Sequence, residues 1–385
     1  MSQNKFKYQK DRRYFAQVAG GMEDEAILEL QELGATNTEK KYRGVEFEAD
    51  RGTVYQINYC SRLVTRILAP LASFKATEEE ELYQKAKGIA WEEIFGLTDT
   101  FKIYGNINIK SSEIYHSRYA SLQVKDAIAD RFRNKFGKRP DVDTNNPEVV
   151  FNLYIQNDIA TISLDTSGES LHKRGYRKSA GKAPMQETLA AVIVRLSEWK
   201  GENQFIDPMC GSGTILCEAL MKYCNIPSGY LRSEFGFQYL PDYDQKTWKK
   251  IKQKCDAKIR SIKENKIQGI DISPAMIKMA RRNCQQLPYG DKIGLTVSSF
   301  QSQSDLSNKT IVTNPPFGVR MGNKKTLKKL YTRFSKKLKK SASGSKVLLY
   351  CGKPELLDYI WMKEDWQKEL PNGGIEGQLV QYQVY

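Results

Sequence analysis

Histidine is nearly absent: 385 residues contain two, His116 and His172. Chemistry that depends on a histidine base or a cluster of imidazole ligands is therefore disfavoured. Cysteine occurs seven times, an odd number, and no two stand as Cys-x-x-Cys. Neither a disulfide framework nor a zinc knuckle is indicated, and a reducing compartment fits. Cys217 and Cys224 share a helical face, but seven residues at ~1.5 Å rise put them about 10 Å apart, too far to share one metal. No apolar run reaches the ~18–20 residues of a membrane span, and the basic, polar residues 1–13 lack the apolar core of a signal peptide. The expectation is a soluble cytoplasmic protein with no metal and no membrane partner. Acids are also in deficit, 45 Asp and Glu against 60 Lys and Arg, for a formal charge of +15. Such a surplus suits a polyanion, because Lys and Arg displace the counterions of phosphates. It is concentrated: residues 324–346 hold ten Lys or Arg and no acid, and residues 246–266 hold nine against two.

What is present centres on residues 205–214, Phe-Ile-Asp-Pro-Met-Cys-Gly-Ser-Gly-Thr. A short apolar run ends at Asp207, breaks at Pro208, passes Gly211 and Gly213, and continues into helix-compatible sequence. Alternate glycines permit positive φ and close approach to a ligand, and an acid at a strand end suits a positive group. By itself the pattern also describes an ordinary strand-to-helix corner. Residues 311–318, Ile-Val-Thr-Asn-Pro-Pro-Phe-Gly, end a second strand-like run in a stiff loop, since two prolines fix φ and Pro315 biases Asn314 toward extended backbone. Together the two stretches resemble the amino-methylating branch of class I S-adenosylmethionine-dependent methyltransferases, whose signatures are Asp-Pro-x-x-Gly-Ser-Gly-Thr and Asn-Pro-Pro-[Tyr/Phe].

Ahead of these motifs, residues 13–50 suggest a strand, a helix over 22–33 stopped by Gly34, and a hairpin over 36–48. A strand over 62–74, a helix over 79–88, a strand over 101–109 and a long helix over 117–136 ended by Gly137 follow. Residues 149–155 and 159–164 then alternate around Asn157-Asp158, a hairpin signal. This order resembles the ferredoxin-like segment plus THUMP domain of a family of RNA methyltransferases. The boundaries it implies are 1–60, 61–168, and 169–385 for the catalytic domain. It also implies that this half binds RNA, with Lys125, Arg131, Arg133, Lys138 and Arg139 as phosphate contacts. A solvated basic helix face reads the same way. Residues 170–191, opening Ser-Leu-His-Lys-Arg-Gly-Tyr-Arg, resemble the His-x-Arg-Gly-Tyr-Arg…Ala-Pro-x-x-Glu-Thr-Leu-Ala-Ala signature of THUMP-containing guanine-N2 methyltransferases. Arg174, Tyr176 and Arg177 are then candidates to meet RNA, and packing of the joint between the halves is the competing account.

From residue 203 strands and helices alternate, which predicts a mostly parallel sheet wrapped by helices. Helices are expected over 213–223, 274–286, 325–340 and 354–362, a hairpin across 371–374, and an antiparallel last strand in 375–385. A basic, aromatic-rich insertion over 226–266 interrupts the first crossover. The expected class is α/β: a Rossmann-like methyltransferase sheet preceded by the ferredoxin-like segment and THUMP domain. The resemblance implies an S-adenosylmethionine site formed by Asp207, Cys210, Gly211, Gly213, Thr214, Asp271, Ile272, Ser299, Phe300 and Asn314, with Asp271 on the ribose. It assigns the reaction to Asn314 and Pro315, whose oxygens would accept the two N–H bonds of an amine, and to Phe317 as a stacking face. The motif does not choose among adenine N6, cytosine N4 and guanine N2. The wider resemblance points to guanine N2 in 23S rRNA, with a tRNA enzyme of the same layout as the near alternative. A catalytically silent RNA-binding assembly factor is the alternative from another class.

Overall fold

The computed structural model describes residues 5–108, 114, 116–179, 185–318 and 324–385. Its first half comprises α1 (Lys7–Asp11), β1 (Arg13–Gln17), α2 (Glu23–Glu32), β2 (Thr36–Lys41), β3 (Gly44–Glu48), α3 (Arg51–Cys60), β4 (Arg66–Lys75), α4 (Glu79–Lys87), β5 (Phe101–Ile107), α5 (Ser117–Phe136), β6 (Val149–Gln156) and β7 (Ile159–Asp165). One sheet runs through them in the order β2-β3-β1-β4-β7-β6-β5. β4 is shared: Leu68 pairs with Phe15 of β1 on one side and with Asp165 of β7 on the other. Local chemistry explains the ends of these elements. Asn157 and Asp158 have φ of 49° and 56°, the left-handed pair that a two-residue hairpin turn requires. α5 stops at Gly137, φ 71°, whose N–H donates to the Arg133 carbonyl. α3 lies outside the sequence-based expectations, because Val-Tyr-Gln-Ile-Asn-Tyr has the composition of a strand. It starts on an aspartate cap, with Asp50 accepting the Thr53 N–H at 2.7 Å.

The second half comprises α6 (Glu187–Leu196), β8 (Phe205–Asp207), α7 (Thr214–Tyr223), α8 (Gln245–Asp256), β9 (Ile267–Asp271), α9 (Pro274–Cys284), β10 (Gly294–Val297), β11 (Thr310–Thr313), α10 (Lys324–Ser341), β12 (Lys346–Cys351), β13 (Trp366–Glu369) and β14 (Gln378–Gln383). Its sheet has the order β10-β9-β8-β11-β12-β14-β13. The first five are mutually parallel, and β14 is antiparallel to both its neighbours. The parallel sheet with its antiparallel end is therefore as expected. Residues 354–362 are a correction: only a 3-10 turn forms, over Pro354–Tyr359. Its single fully buried side chain, Leu356, gives no apolar stripe to hold a longer helix.

The insertion over 226–266 is not a surface excursion. Phe235, Phe237 and Trp248 pack on α3 of the first half, with Phe237 4.5 Å from Tyr55 and Trp248 5.3 Å from Tyr59 between ring centroids. Tyr59 also donates its hydroxyl to Asp256 at 2.7 Å. Burial of large rings explains why aromatics concentrate here: each removes a wide apolar surface from water in a fixed geometry. Trp248→Ala is expected to lower stability by ~3–5 kcal/mol, read as an earlier urea midpoint, whereas Trp248→Phe retains most of it.

Candidate active site

The two motifs meet where the strand order reverses. β8 and β11 are parallel neighbours, with Phe205 beside Thr310 and Ile206 beside Ile311. β9 follows β8 on one side and β12 follows β11 on the other. Ligands of open α/β sheets bind in the crevice beyond the strand ends at such a point. Asp207 ends β8 almost fully buried, 1% exposed. Its Oδ1 accepts the Thr313 hydroxyl at 2.7 Å and the Met209 N–H at 3.1 Å. Burial pushes its carboxyl up to about 7, against those two hydrogen bonds and with help from the Asp271 charge.

Asp271 ends β9 and holds two turns together. Its Oδ2 accepts the Gly211 N–H and its Oδ1 the Ser273 N–H, both at 2.9 Å. The next side chain, Ile272, stands 75% exposed, an apolar surface held in solvent beside that acid. The glycine turn has φ of 54° at Gly211 and 84° at Gly213. A Cβ on Gly211 would meet nothing within 4 Å, so this backbone borders open space; one on Gly213 would sit 3.1 Å from the Ala280 Cβ. Gly213 thus allows α7 to lie close on α9, and Thr214 begins α7 nearly buried. Cys210 is buried with its N–H on the Ile270 carbonyl, and burial pushes its thiol up. Its Sγ lies against Gly269, where a Cβ would come within 3.0 Å of it.

At the end of β11, Asn314 carries a buried side-chain oxygen with no hydrogen-bond partner among the described residues. An orphaned buried acceptor costs ~1–3 kcal/mol unless something donates to it. Pro315 beside it is buried. Phe317 lies over the backbone of Gly352, where a Cβ would come within 2.6 Å of its ring. The open glycine turn, the exposed Ile272 and the orphaned Asn314 oxygen fit a ligand with an apolar ring system on one side and N–H donors on the other. No group of three His, Cys, Asp or Glu that could hold a metal ion occurs among the described residues.

The other candidates divide. Ser299 caps a 3-10 turn by accepting the Gln301 N–H at 3.2 Å. Phe300 is buried, with its ring 5.3 Å from that of Phe334 in a T-shaped pair. Arg174 and Tyr176, candidates for RNA, are buried in the joint. Arg174 donates to Glu218 at 3.4 Å, to the Leu171 carbonyl at 2.6 Å and to the Arg62 carbonyl, and Tyr176 donates to the same Glu218 oxygen at 3.0 Å. Both side chains are therefore withdrawn from any polyanion, and the joint-packing account is the one their placement favours. Arg177 is half-buried on Glu187 at 2.8 Å. On α5, Lys125 pairs with Asp126, Arg131 with Glu92 and Arg133 with Asp130, while Lys138 and Arg139 stand exposed just beyond it.

Asn283 has no signal in the sequence, because a lone asparagine within a helix carries no pattern. Its Oδ1 accepts the N–H groups of Lys178 and Ser179 at 3.0 and 3.1 Å, and its Nδ2 donates to the Ser179 and Ser212 carbonyls at 2.9 and 3.0 Å. It ties the joint segment to the glycine turn.

Comparison with known proteins adds three matches along the chain. A family described as RMKL-like, methyltransferase domain matches residues 174–381, a THUMP domain matches 76–165, and an RlmL ferredoxin-like domain matches 13–68. A protein of Synechocystis sp. named as a candidate RNA methyltransferase is 36% identical over 97% of either chain. The ribosomal RNA large subunit methyltransferase K/L of Psychromonas ingrahamii is 36% identical over 96% of this chain and 50% of its own, so the chain spans about half the length of that relative. A crystal structure of SMU.472, a candidate methyltransferase complexed with SAH, superposes with a TM-score of 0.85 at 27% identity, covering 97% of this chain and 98% of that one.

The burial of the Arg174–Glu218 pair, both side chains at 0% exposure, sets an asymmetric test. Arg174→Ala leaves Glu218 without its cation and is expected to cost about 3–5 kcal/mol in chemical denaturation, while a double Arg174→Met, Glu218→Gln variant recovers much of that loss.

Proposed function

Given that the chain belongs to the RMKL-like methyltransferase family, in the form that carries an RlmL ferredoxin-like domain and a THUMP domain, we propose that it methylates the N2 amine of a guanosine in 23S ribosomal RNA. The observation that carries the reading is the orphaned Asn314 oxygen at the parting of the sheet, one residue from the Thr313–Asp207 hydrogen bond. S-adenosylmethionine, when bound, supplies a methyl group on a positively charged sulfur. The Asp207 carboxylate would take its ammonium, the Gly211 and Gly213 backbone would border it, Asp271 would accept from its ribose hydroxyls and Ile272 would cover an adenine face.

A base amine is a weak nucleophile because its lone pair is delocalised into the ring. Asn314 Oδ1 and the Pro315 carbonyl accept its two N–H bonds and so turn the lone pair out of conjugation. Positive charge develops on that nitrogen during transfer, and these two acceptors strengthen as it does. Phe317, held against Gly352, fixes the base plane. No acid is needed for the departing thioether, in keeping with a chain of two histidines. A base presented in this way has left its helix or is single-stranded. Support for guanine N2 comes from the residue 170–191 signature, and support for large-subunit RNA from the name of the K/L relative. Mass-spectrometric mapping of N2-methylguanosine in ribosomal and transfer RNA, from cells with and without this protein, tests the reading. Loss of a mark confined to transfer RNA, or of none, defeats it.

Two outcomes follow from the geometry. Asn314→Ala is expected to lower turnover about 100- to 1000-fold with cofactor affinity near normal by calorimetry. Thermal stability unchanged would separate this from a role in holding the loop. For Asp207, the raised carboxyl must release its proton before it can pair with an ammonium. Cofactor affinity should therefore strengthen as pH rises through about 7, and Asp207→Asn should flatten that dependence. In the ligand-free protein the sign is opposite. Folding holds the proton more tightly than the unfolded chain does, so this residue's contribution to stability falls as pH rises from ~4 to about 7.

A further inference from the structure

α10 carries nine Lys or Arg in 18 residues and no acid. Its apolar side is fully used: Leu327, Tyr331, Phe334 and Leu338 are at most 4% exposed. Four cations of α5, Lys125, Arg131, Arg133 and Lys135, pair with carboxylates, whereas Lys329, Arg333, Lys336, Lys337, Lys339 and Lys340 have no ion-pair partner among the described residues. Two aromatic rings lie against this helix. Lys328 Nζ sits 5.0 Å from the Tyr359 ring centroid and Lys336 Nζ 5.6 Å from that of Trp361. Trp361 is 51% exposed, yet its backbone is fixed to α10 by an N–H bond to Ser335 Oγ at 2.9 Å. The same surface reaches the base-holding loop: a Cβ on Gly318 would lie 3.1 Å from Lys353 Nζ and 3.3 Å from Leu327 Cδ1.

Unpaired cations interleaved with a half-exposed ring are what a single nucleic-acid strand requires, phosphates on the ammonium groups and a base on the indole face. We propose that the exposed face of α10, with Trp361 and Lys353, is a track for the single-stranded RNA flanking the target nucleotide, leading it to Phe317. The exposed acids Glu355 and Asp358 lie on the 3-10 turn between Lys353 and Trp361 and keep phosphate to the helix side. A membrane surface is a poor occupant, because an interfacial helix inserts its apolar face and here that face is core. The proposal rests on the RNA methyltransferase reading and places a substrate contact outside the THUMP region.

The test uses the full chain and a labelled single-stranded RNA oligonucleotide in fluorescence anisotropy, at several salt concentrations, with methylation kinetics alongside. A Lys329→Gln, Arg333→Gln, Lys336→Gln variant should flatten the slope of log K against log salt by about 2, as three phosphate contacts at ~0.7 each predict. Trp361→Ala should weaken binding roughly 5- to 100-fold. Both should raise KM for RNA and leave kcat unchanged, with circular dichroism confirming the fold. A control triple variant, Lys246→Gln, Lys249→Gln, Lys250→Gln, removes the same charge elsewhere and should leave the slope alone. If wild-type protein binds and methylates RNA while the α10 variants match it, or while the control loses as much, the track is overturned and the methyltransferase reading stands. If wild-type protein binds no RNA at low salt, the RNA reading itself falls. Retention by vesicles of anionic lipid that the α10 triple variant abolishes, without any change in RNA binding, would overturn the track in favour of a membrane surface.

Discussion

A buried acid at the parting of a parallel sheet is the constraint on which the catalytic half depends. Asp207 is removed from water, and an isolated carboxylate there is costly, so its neighbours have to supply donors from fixed places. One donor comes from its own strand end, the Met209 N–H, and one from across the parting, the Thr313 hydroxyl. The second requires β11 to lie beside β8 in one register, which in turn sets Asn314 one residue further into the crevice. Asp271 repeats the device on the other side by accepting the Gly211 N–H. The glycine turn and the loop of Asn314 to Phe317 are thus spaced by hydrogen bonds to two acids rather than by the loops themselves.

The halves are joined by buried charge as well as by aromatic rings. Glu29 accepts from the Ser61 hydroxyl and from the N–H groups of Arg62 and Leu63, at 2.6 to 3.0 Å. Arg62 passes the connection on, its guanidinium donating to the Met221 and Ile226 carbonyls at 2.9 Å each, at and just beyond the end of α7. Arg174 then links the Arg62 carbonyl to Glu218 on the same helix. The helix that follows the glycine turn is therefore anchored to the first half through Glu218 and its carboxyl end. An element bound to the first half is thus in a fixed orientation to the crevice at the parting of the sheet.

Much of this was legible in the residues. Alternation and glycine turns identify β8, β9, β11 and the Asn157-Asp158 hairpin, because their patterns are short-range and bear directly on backbone conformation. The two acids and Asn314 could be read for the same reason, as polar residues at the ends of apolar runs. α3 could not, since its strand-like composition is overridden by an aspartate cap and by the rings packed on it. Arg174 and Tyr176 show the deeper limit: a charged motif says nothing about whether its partner is a phosphate outside or Glu218 inside. Gly352 and Asn283 act through contacts with residues distant in the chain, and nothing local marks them.

The strand β4 has a further consequence for biogenesis. Its near edge pairs with β1, already synthesised, but its far edge waits for β7, so that Leu68 meets Asp165 only after the whole intervening segment has emerged. Tyr55 and Tyr59 wait longer still, until Trp248 arrives to cover them. A nascent chain made from its amino terminus thus carries an open sheet edge for about a quarter of its synthesis and uncovered rings for about half of it, a period in which it is prone to association with other chains. Translation speed and chaperone supply, rather than the stability of the finished fold, should then govern its yield.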